Sequence, residues 1–326
     1  MYDTGPRYHW TLLRAGEFRL EGGSMFGLIP RSVWSRSVPA DDRGRITVQH
    51  NCLLLTPDQP GPRQHILIET GSGDKLDDKS KDIFALQDRS ILSALAEANT
   101  DPADIHAVFV THLHFDHAGG LTRKPRPGET PEWTGPGSAG ESSVVRTFPN
   151  AKVFVQAREW DDALANRSVM TRTYFRDHLE PLRTHLALVD SPRPFPLGYT
   201  PDRDERPAAP LALRCTQALP GIHAFLAPGH TWGQQGILFT DSLGRTVVFT
   251  PDVMPTRAHV GAAYSLGYDV EPYTSMVTRG WLLDEAASHD LLLVLDHDPV
   301  APVVRVRRNS KGWYDLVPEP EQRGTR

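Results

Sequence analysis

Three imidazoles and one carboxylate fall within six consecutive positions, His112-Leu113-His114-Phe115-Asp116-His117, directly behind the compact apolar run Ala107 to Val110. A short apolar run of this kind reads as a buried strand, so the polar cluster begins where a strand ends. In open α/β sheets, ligands gather at the carboxyl ends of strands, and this placement constrains the fold more than any other feature of the chain. Neutral imidazole is the common nitrogen ligand for zinc, and carboxylate oxygen suits a hard divalent cation. Alternation at 112 and 114 sends two side chains the same way as the strand ends. Asp116 and His117 then turn past them, so one loop can serve two adjacent metals.

The surrounding pattern is that of an α/β protein. Tyr8 to Leu13 and Glu17 to Leu20 read as strands around an Ala15-Gly16 turn, followed by a pair at Ile46 to Leu55 and His65 to Glu69. Asp82 to Ala98 carries helical spacing, with Ile83, Leu86, Ser90, Leu92, Leu95 and Ala96 on one face. Residues 122 to 147, rich in Pro, Gly, Ser and Thr, read as a surface loop. Lys152 to Gln156 reads as a strand, while Arg158 to Asn166 and Tyr174 to Leu186 read as helices. The second half repeats the theme, with strands at His223 to Ala227, Gly236 to Thr240, Arg245 to Thr250, Leu291 to Leu295 and Val303 to Val306, and a helix from Tyr273 to Ser288. We read residues 1–317 as one domain and expect the tail from Pro318, 318–326, to be disordered.

A two-metal site needs further ligands, and the second half places candidates at strand ends. Gly229 lets the backbone turn so that His230 reaches inward, Asp252 closes one strand in a position to bridge two ions, and Asp296-His297-Asp298 closes another. Each has an ordinary explanation when taken alone: a loop histidine, a turn aspartate, a histidine in an acidic turn. Their order, each at the carboxyl end of a strand, is what makes them ligand candidates.

With HxHxDH followed by His, Asp and His, the chain resembles the metallo-β-lactamase superfamily. The resemblance implies an αββα sandwich, two mixed β-sheets flanked by helices, with the metal site at one sheet edge. It further implies that His112, His114 and His230 hold one divalent ion, that Asp116, His117 and His297 hold the other, and that Asp252 bridges them. His114 stands where the diiron flavoprotein branch has Glu, which favours two Zn2+ ions. The segments GGSMFGLIP, ETGSGDKL, THLHFDHAGGLT, FPNAKVFVQAREWD, PGHTWGQ and DVMPTRAH are similar to the YtnP-type quorum-quenching lactonases, whose neighbours are the N-acyl-homoserine lactonases and the methyl-parathion-hydrolase-like enzymes. A homodimer is a further implication of that resemblance. Two positions depart from the pattern. Glu69-Thr70-Gly71 replaces Asp-Thr-Gly, so a hydrogen bond behind the ligands is expected to lengthen or be rerouted. No tyrosine follows Asp252, and Tyr264 or Tyr268 is the candidate to take its place on the substrate oxygen.

The chemistry expected of such ligands is attack of a metal-bridging hydroxide on a lactone carbonyl, with Asp116 orienting the water and returning a proton. A phosphotriesterase or arylesterase on the same metals is the alternative. Met25, Phe26, Trp34, Phe115, Trp232 and Tyr264 are candidate rim residues for an acyl chain, although ordinary packing explains each of them equally well. The net charge of −5 argues against a nucleic-acid partner. Cys52 and Cys215 read as core residues, and two cysteines allow neither a disulfide framework nor a Cys-rich zinc site. The N-terminus lacks a secretory pattern and the longest apolar run is far too short to span a membrane, so the chain is expected to be cytoplasmic, with no membrane partner.

Overall fold

The computed structural model describes residues 5–58, 64–168, 172–202, 205 and 209–320. In chain order the first half gives β1 (Tyr8–Glu21), β2 (Arg45–Pro57), β3 (His65–Ile68) and β4 (Ile105–Phe109), then the short β5 (Thr122–Arg123), β6 (Trp133–Gly137) and β7 (Gly140–Arg146), then β8 (Lys152–Gln156) and β9 (Leu186–Val189). The second half gives β10 (Cys215–Leu219), β11 (Ile222–Leu226), β12 (Gln235–Thr240), β13 (Thr246–Thr250), β14 (Leu292–Leu295), β15 (Val303–Arg308) and β16 (Tyr314–Pro318). One sheet runs β1-β2-β3-β4-β8-β9, the other β10 to β16 in sequence order, and β5-β7-β6 form a small third sheet. Both large sheets are mixed. β3, β4, β8 and β9 are mutually parallel, and β13 pairs parallel with β14.

The strands stack because their alternate side chains are apolar on both faces, as strands buried on two sides require. Val247 and Phe249 of β13 and Leu292 and Val294 of β14 point into the layer between the sheets, where they meet Leu53, Leu55, Ile66, Ile68 and Phe109. Their neighbours Val248, Leu293 and Leu295 face outward onto Trp281, Leu282 and Ala286 of the helix Pro272–His289. On the far side of the first sheet, Val108 and Val153 pack with Ile91, Leu95, Trp160 and Ala163 from the helices Ile91–Glu97 and Ala157–Leu164. The result is an αββα sandwich. Each fully buried Leu, Ile, Val or Phe contributes about 1.5–3 kcal/mol, which makes this layered burial the main force holding the histidine- and aspartate-bearing strand ends in register.

Several local expectations are corrected. Ala15-Gly16 is not a turn: β1 runs through it with a register shift between Arg14 and Glu17, because the unbroken β2 opposite keeps the pairing going. The helix expected over 82–98 is two helices, Asp78–Phe84 and Ile91–Glu97. The first ends on Ala85 in a left-handed conformation, and Ser90, counted on the apolar stripe, instead caps the second through Ser93. Residues 122–147 contain β5 to β7; their Gly, Pro and Ser content conceals pairing that is specified by Gly140 at φ 90 and by Asp177, which accepts from Ser138 and Ser142. The helix expected from Tyr174 covers only Arg176–Leu179, passes into a 3-10 turn containing Pro181, and gives way to β9. Pro318 pairs with Val304 at the end of β16, and 321–326, most of the expected tail, lie outside the described residues. Among the described residues no helix is long and apolar enough to cross a membrane.

Candidate metal centre

β4 leads through Val110 and Thr111 to His112 and His114, and the short helix Phe115–Ala118 then carries Asp116 and His117. From the second sheet, His230 follows β11, Asp252 follows β13 and His297 follows β14. All seven predicted ligands are buried, His112 and His230 completely. Their donor atoms gather in two groups, His112 with His114 and His230, and His117 with Asp252, Asp296 and His297; within each group the atoms lie within 4.8 Å of one another. The Asp252 carboxylate faces both groups. Its Oδ2 is 3.2 Å from His230 Nε2 and its Oδ1 is 3.3 Å from His297 Nε2. Asp116 lies beside the second group, 3.8 Å from His117 Nε2 and 3.7 Å from His297 Nε2.

The rings are aimed from behind. Asp269 takes the Nδ1 proton of His230 at 2.8 Å, the Gln49 carbonyl takes that of His297 at 3.0 Å, and Glu69 faces His117 Nδ1 at 3.3 Å. In each of these rings Nδ1 is engaged from behind and Nε2 is left facing the site. The Nε2 atoms of His117 and His297 stand 3.2 Å apart, and His230 Nε2 stands 3.0 Å from His114 Nδ1. Ring nitrogens at such separations need a shared proton or a cation between them, and imidazoles held from behind in this way are what metal ligands present. His112 Nε2 is also buried without a hydrogen-bond partner, and the carboxyls of Asp252 and Asp296 are buried side by side, an arrangement that is costly for protein alone and natural for a cation site. The donor set therefore fits two divalent ions.

The electrostatics agree. Burial alone would lower His117, but Glu69, Asp116 and Asp252 overcome it and push the imidazole up to about 10. His230 is likewise raised against its burial by Asp252 and Asp269. Burial and adjoining imidazoles hold His112 and His114 well below the ordinary histidine value, and burial beside Asp252 holds Asp296 well above the carboxylate range. The carboxylates thus favour positive charge at His117 and His230, while His112 and His114 are held neutral, the form in which imidazole ligates a metal.

The departure at Glu69 is accommodated by the backbone. Glu69 sits at φ 68, rare for a non-glycine residue, and its longer side chain accepts Thr111 N at 2.6 Å with one oxygen while the other faces His117. Tyr268 stands beside the site, its ring edge-on to His230 at 5.7 Å and its hydroxyl on Met25 Sδ at 2.5 Å. The ring of Tyr264 instead packs on Phe26 and His259. Met25, Phe26 and Trp34 are core and not rim: they close a cluster with Phe18, Ile46, Val48 and Leu266, where apolar burial outweighs their loop-like sequence context. Phe115, against Phe84 at 4.9 Å, and Trp232, bonded to Glu271 at 2.8 Å, are half-buried near the ligand loops. Asp296, Glu159 and Asp269 escaped the sequence reading as site residues. Asp296 shares a strand end with His297 and was within reach of the same rule; nothing local marks the other two.

The metallo-β-lactamase superfamily model matches residues 45–297. None of the curated proteins compared matches the chain. Among solved structures, the chain is similar to a probable metal-dependent hydrolase from Staphylococcus aureus at 23% identity and TM-score 0.75, covering 97% of this chain and 99% of that one. It is also similar to AidC, a dizinc quorum-quenching lactonase solved with its product N-hexanoyl-L-homoserine, at 17% identity and TM-score 0.66, covering 98% and 96%. A third likeness, at 17% identity and TM-score 0.66, is to AbOPH, a hydrolase of the β-lactamase superfamily, covering 99% and 100%.

Proposed function

The chain belongs to the metallo-β-lactamase superfamily, and on that premise we propose that it is a dinuclear metal-dependent hydrolase that opens lactones of the N-acyl-homoserine type. The observation that carries the two-metal part is Asp252, whose two oxygens face separate histidine groups. The likeness to a dizinc lactonase and the lactonase-like segments around the ligands support the substrate class. His112, His114 and His230 would hold one ion, His117, His297 and Asp116 or Asp296 the other, with Asp252 between them; a nitrogen-rich set suits zinc. Two such ions, when bound, supply Lewis acidity that activates water near neutral pH and polarises a carbonyl oxygen.

The chain's own groups supply the rest. Asp116, at the outer edge of the second group, is placed to take a proton from the attacking water on its carboxylate and to return it to the leaving oxygen of the opened ring. Burial together with Asp252 and Asp116 raises the Tyr268 phenol far above its ordinary value, so it stays protonated; rotated away from Met25 Sδ, its hydroxyl can donate to the substrate's carbonyl oxygen. Tyr264, behind Phe26, is given a packing role. Phe115 and Trp232 offer half-buried apolar surface to an acyl chain.

The test is a rate comparison on an acyl-homoserine lactone, an aryl ester and a phosphotriester, with metal content measured on the same preparation. About two ions per chain and preference for the lactone are expected. His114→Ala and Asp252→Ala abolish hydrolysis on this reading. A phosphotriester preference of several orders of magnitude would replace the substrate class, and activity in metal-free protein would remove the metal centre.

A further inference from the structure

Glu159 lies in the first turn of the helix Ala157–Leu164 and is completely buried. Both of its oxygens are occupied. Oε1 accepts from Leu113 N at 2.9 Å and from the Tyr174 hydroxyl at 3.1 Å, and Oε2 accepts from Thr231 Oγ1 at 2.6 Å. Each bond ends on a segment that carries or touches one group of ligands. Leu113 separates His112 from His114, Thr231 follows His230, and the Tyr174 ring lies 5.1 Å from that of His114. The 231–233 turn also presses on the first turn of the same helix: a Cβ at Gly233 would lie 2.2 Å from Glu159 N. None of these Glu159 contacts reaches His117, Asp252, Asp296 or His297; His117 is backed by Glu69 and the Thr111 hydroxyl, and His297 by the Gln49 carbonyl.

We infer that Glu159 is a positioning residue for one ion site alone: it fixes the separation between the His112–His114 pair and His230, and so sets the affinity of that site without setting the other. This rests on the dinuclear reading above. Partners behind metal ligands commonly change affinity by about 10–100-fold when removed, and here one carboxylate orients three imidazoles through two stretches of chain.

The experiment is a cobalt(II) titration of the metal-free full chain, read by visible d–d absorption and by bound metal after equilibrium dialysis. The proteins are wild type, Glu159→Gln, Glu159→Ala and Thr231→Val, each checked for fold by near-ultraviolet circular dichroism. Wild type is expected to take up two ions. Glu159→Ala should weaken one site by about 10–100-fold and leave the other within about threefold. Gln, which keeps an acceptor for Leu113 N, should restore most of the loss. Thr231→Val, which removes a single arm, should weaken the same site severalfold, and it carries the test if the alanine variant does not fold. Equal loss at both sites, no loss at either, or a Gln variant as weak as Ala overturns the inference. A wild type that binds no cobalt overturns the functional reading along with it; two ions bound with wild-type affinity in every variant overturns this inference alone.

Discussion

His259 should make the stability of the fold fall with acid in a calculable way. Its ring is completely buried and stacked nearly parallel on Phe26, 5.0 Å away. Nε2–H donates to the Met25 carbonyl at 2.7 Å, and Nδ1 accepts from the Thr256 hydroxyl at 2.8 Å, so both nitrogens are used in the neutral form. Burial, aided by Arg279 and only partly opposed by the Met25 carbonyl, Asp252 and Asp269, lowers its pKa from 6.5 to about 4. Between those values the unfolded chain binds the proton and the native one does not. The stabilisation is therefore complete above about pH 6.5 and is lost as the pH falls toward 4. The whole difference corresponds to about 3 kcal/mol at ~1.36 kcal/mol per pKa unit, and about 2 kcal/mol of it disappears between pH 7 and pH 5. Urea unfolding of the metal-loaded wild type and of His259→Gln at pH 7, 6 and 5 isolates this contribution, because the carboxylates and the other histidines are common to both proteins. Gln is expected to be less stable at pH 7, with the gap narrowing by about 2 kcal/mol by pH 5. A gap that stays constant would refute the assignment of a neutral His259.

Asp269→Asn replaces the carboxylate that takes the His230 Nδ1 proton, and kcat/KM together with zinc affinity should fall by about 10–100-fold; unchanged metal binding in a chelator competition would contradict it. Gly73 has φ 69, and a Cβ there would lie 2.4 Å from the Gly119 carbonyl oxygen, just beyond the ligand loop. Gly73→Ala should cost on the order of 2–4 kcal/mol, read as a lower midpoint in thermal or denaturant unfolding, and an unaltered midpoint would show that the approach relaxes freely. Tyr268→Phe should lower kcat with little change in fold, whereas Tyr264→Phe should leave turnover within about twofold; the reverse ranking in steady-state kinetics would exchange their roles.

What was legible in the sequence was what the chain writes locally. His112 to His117 is a single turn of chain after a strand, so spacing and chemistry coincide in a window of six residues. His230, Asp252 and His297 were found because each follows a run of apolar strand residues, and burial on both sheet faces makes such runs conspicuous. The groups behind the ligands were not legible, because their meaning is tertiary. Asp269 serves His230 from 39 residues away, and Glu159 reaches Leu113 across 46 and Thr231 across 72. Met25, Phe26 and Trp34 misled for a related reason: their surroundings in sequence are those of a loop, and only the packing of Phe18, Val48 and Leu266 over them makes them core. The β6–β7 pairing was hidden by composition, since the turn between the two strands uses the same Gly and Ser residues as an open loop.

The ligand nitrogens that face each other belong to distant parts of the chain: His114 and His230 are 116 residues apart, and His117 and His297 are 180 apart. An ion held between either pair is a noncovalent cross-link that closes a very long ring of polypeptide. In the chain-entropy account, joining the ends of a ring of that size deprives the unfolded ensemble of roughly 5 kcal/mol of freedom. A centre loaded in this way would fasten the two halves together, and a loaded chain nicked in an exposed connection would remain one object.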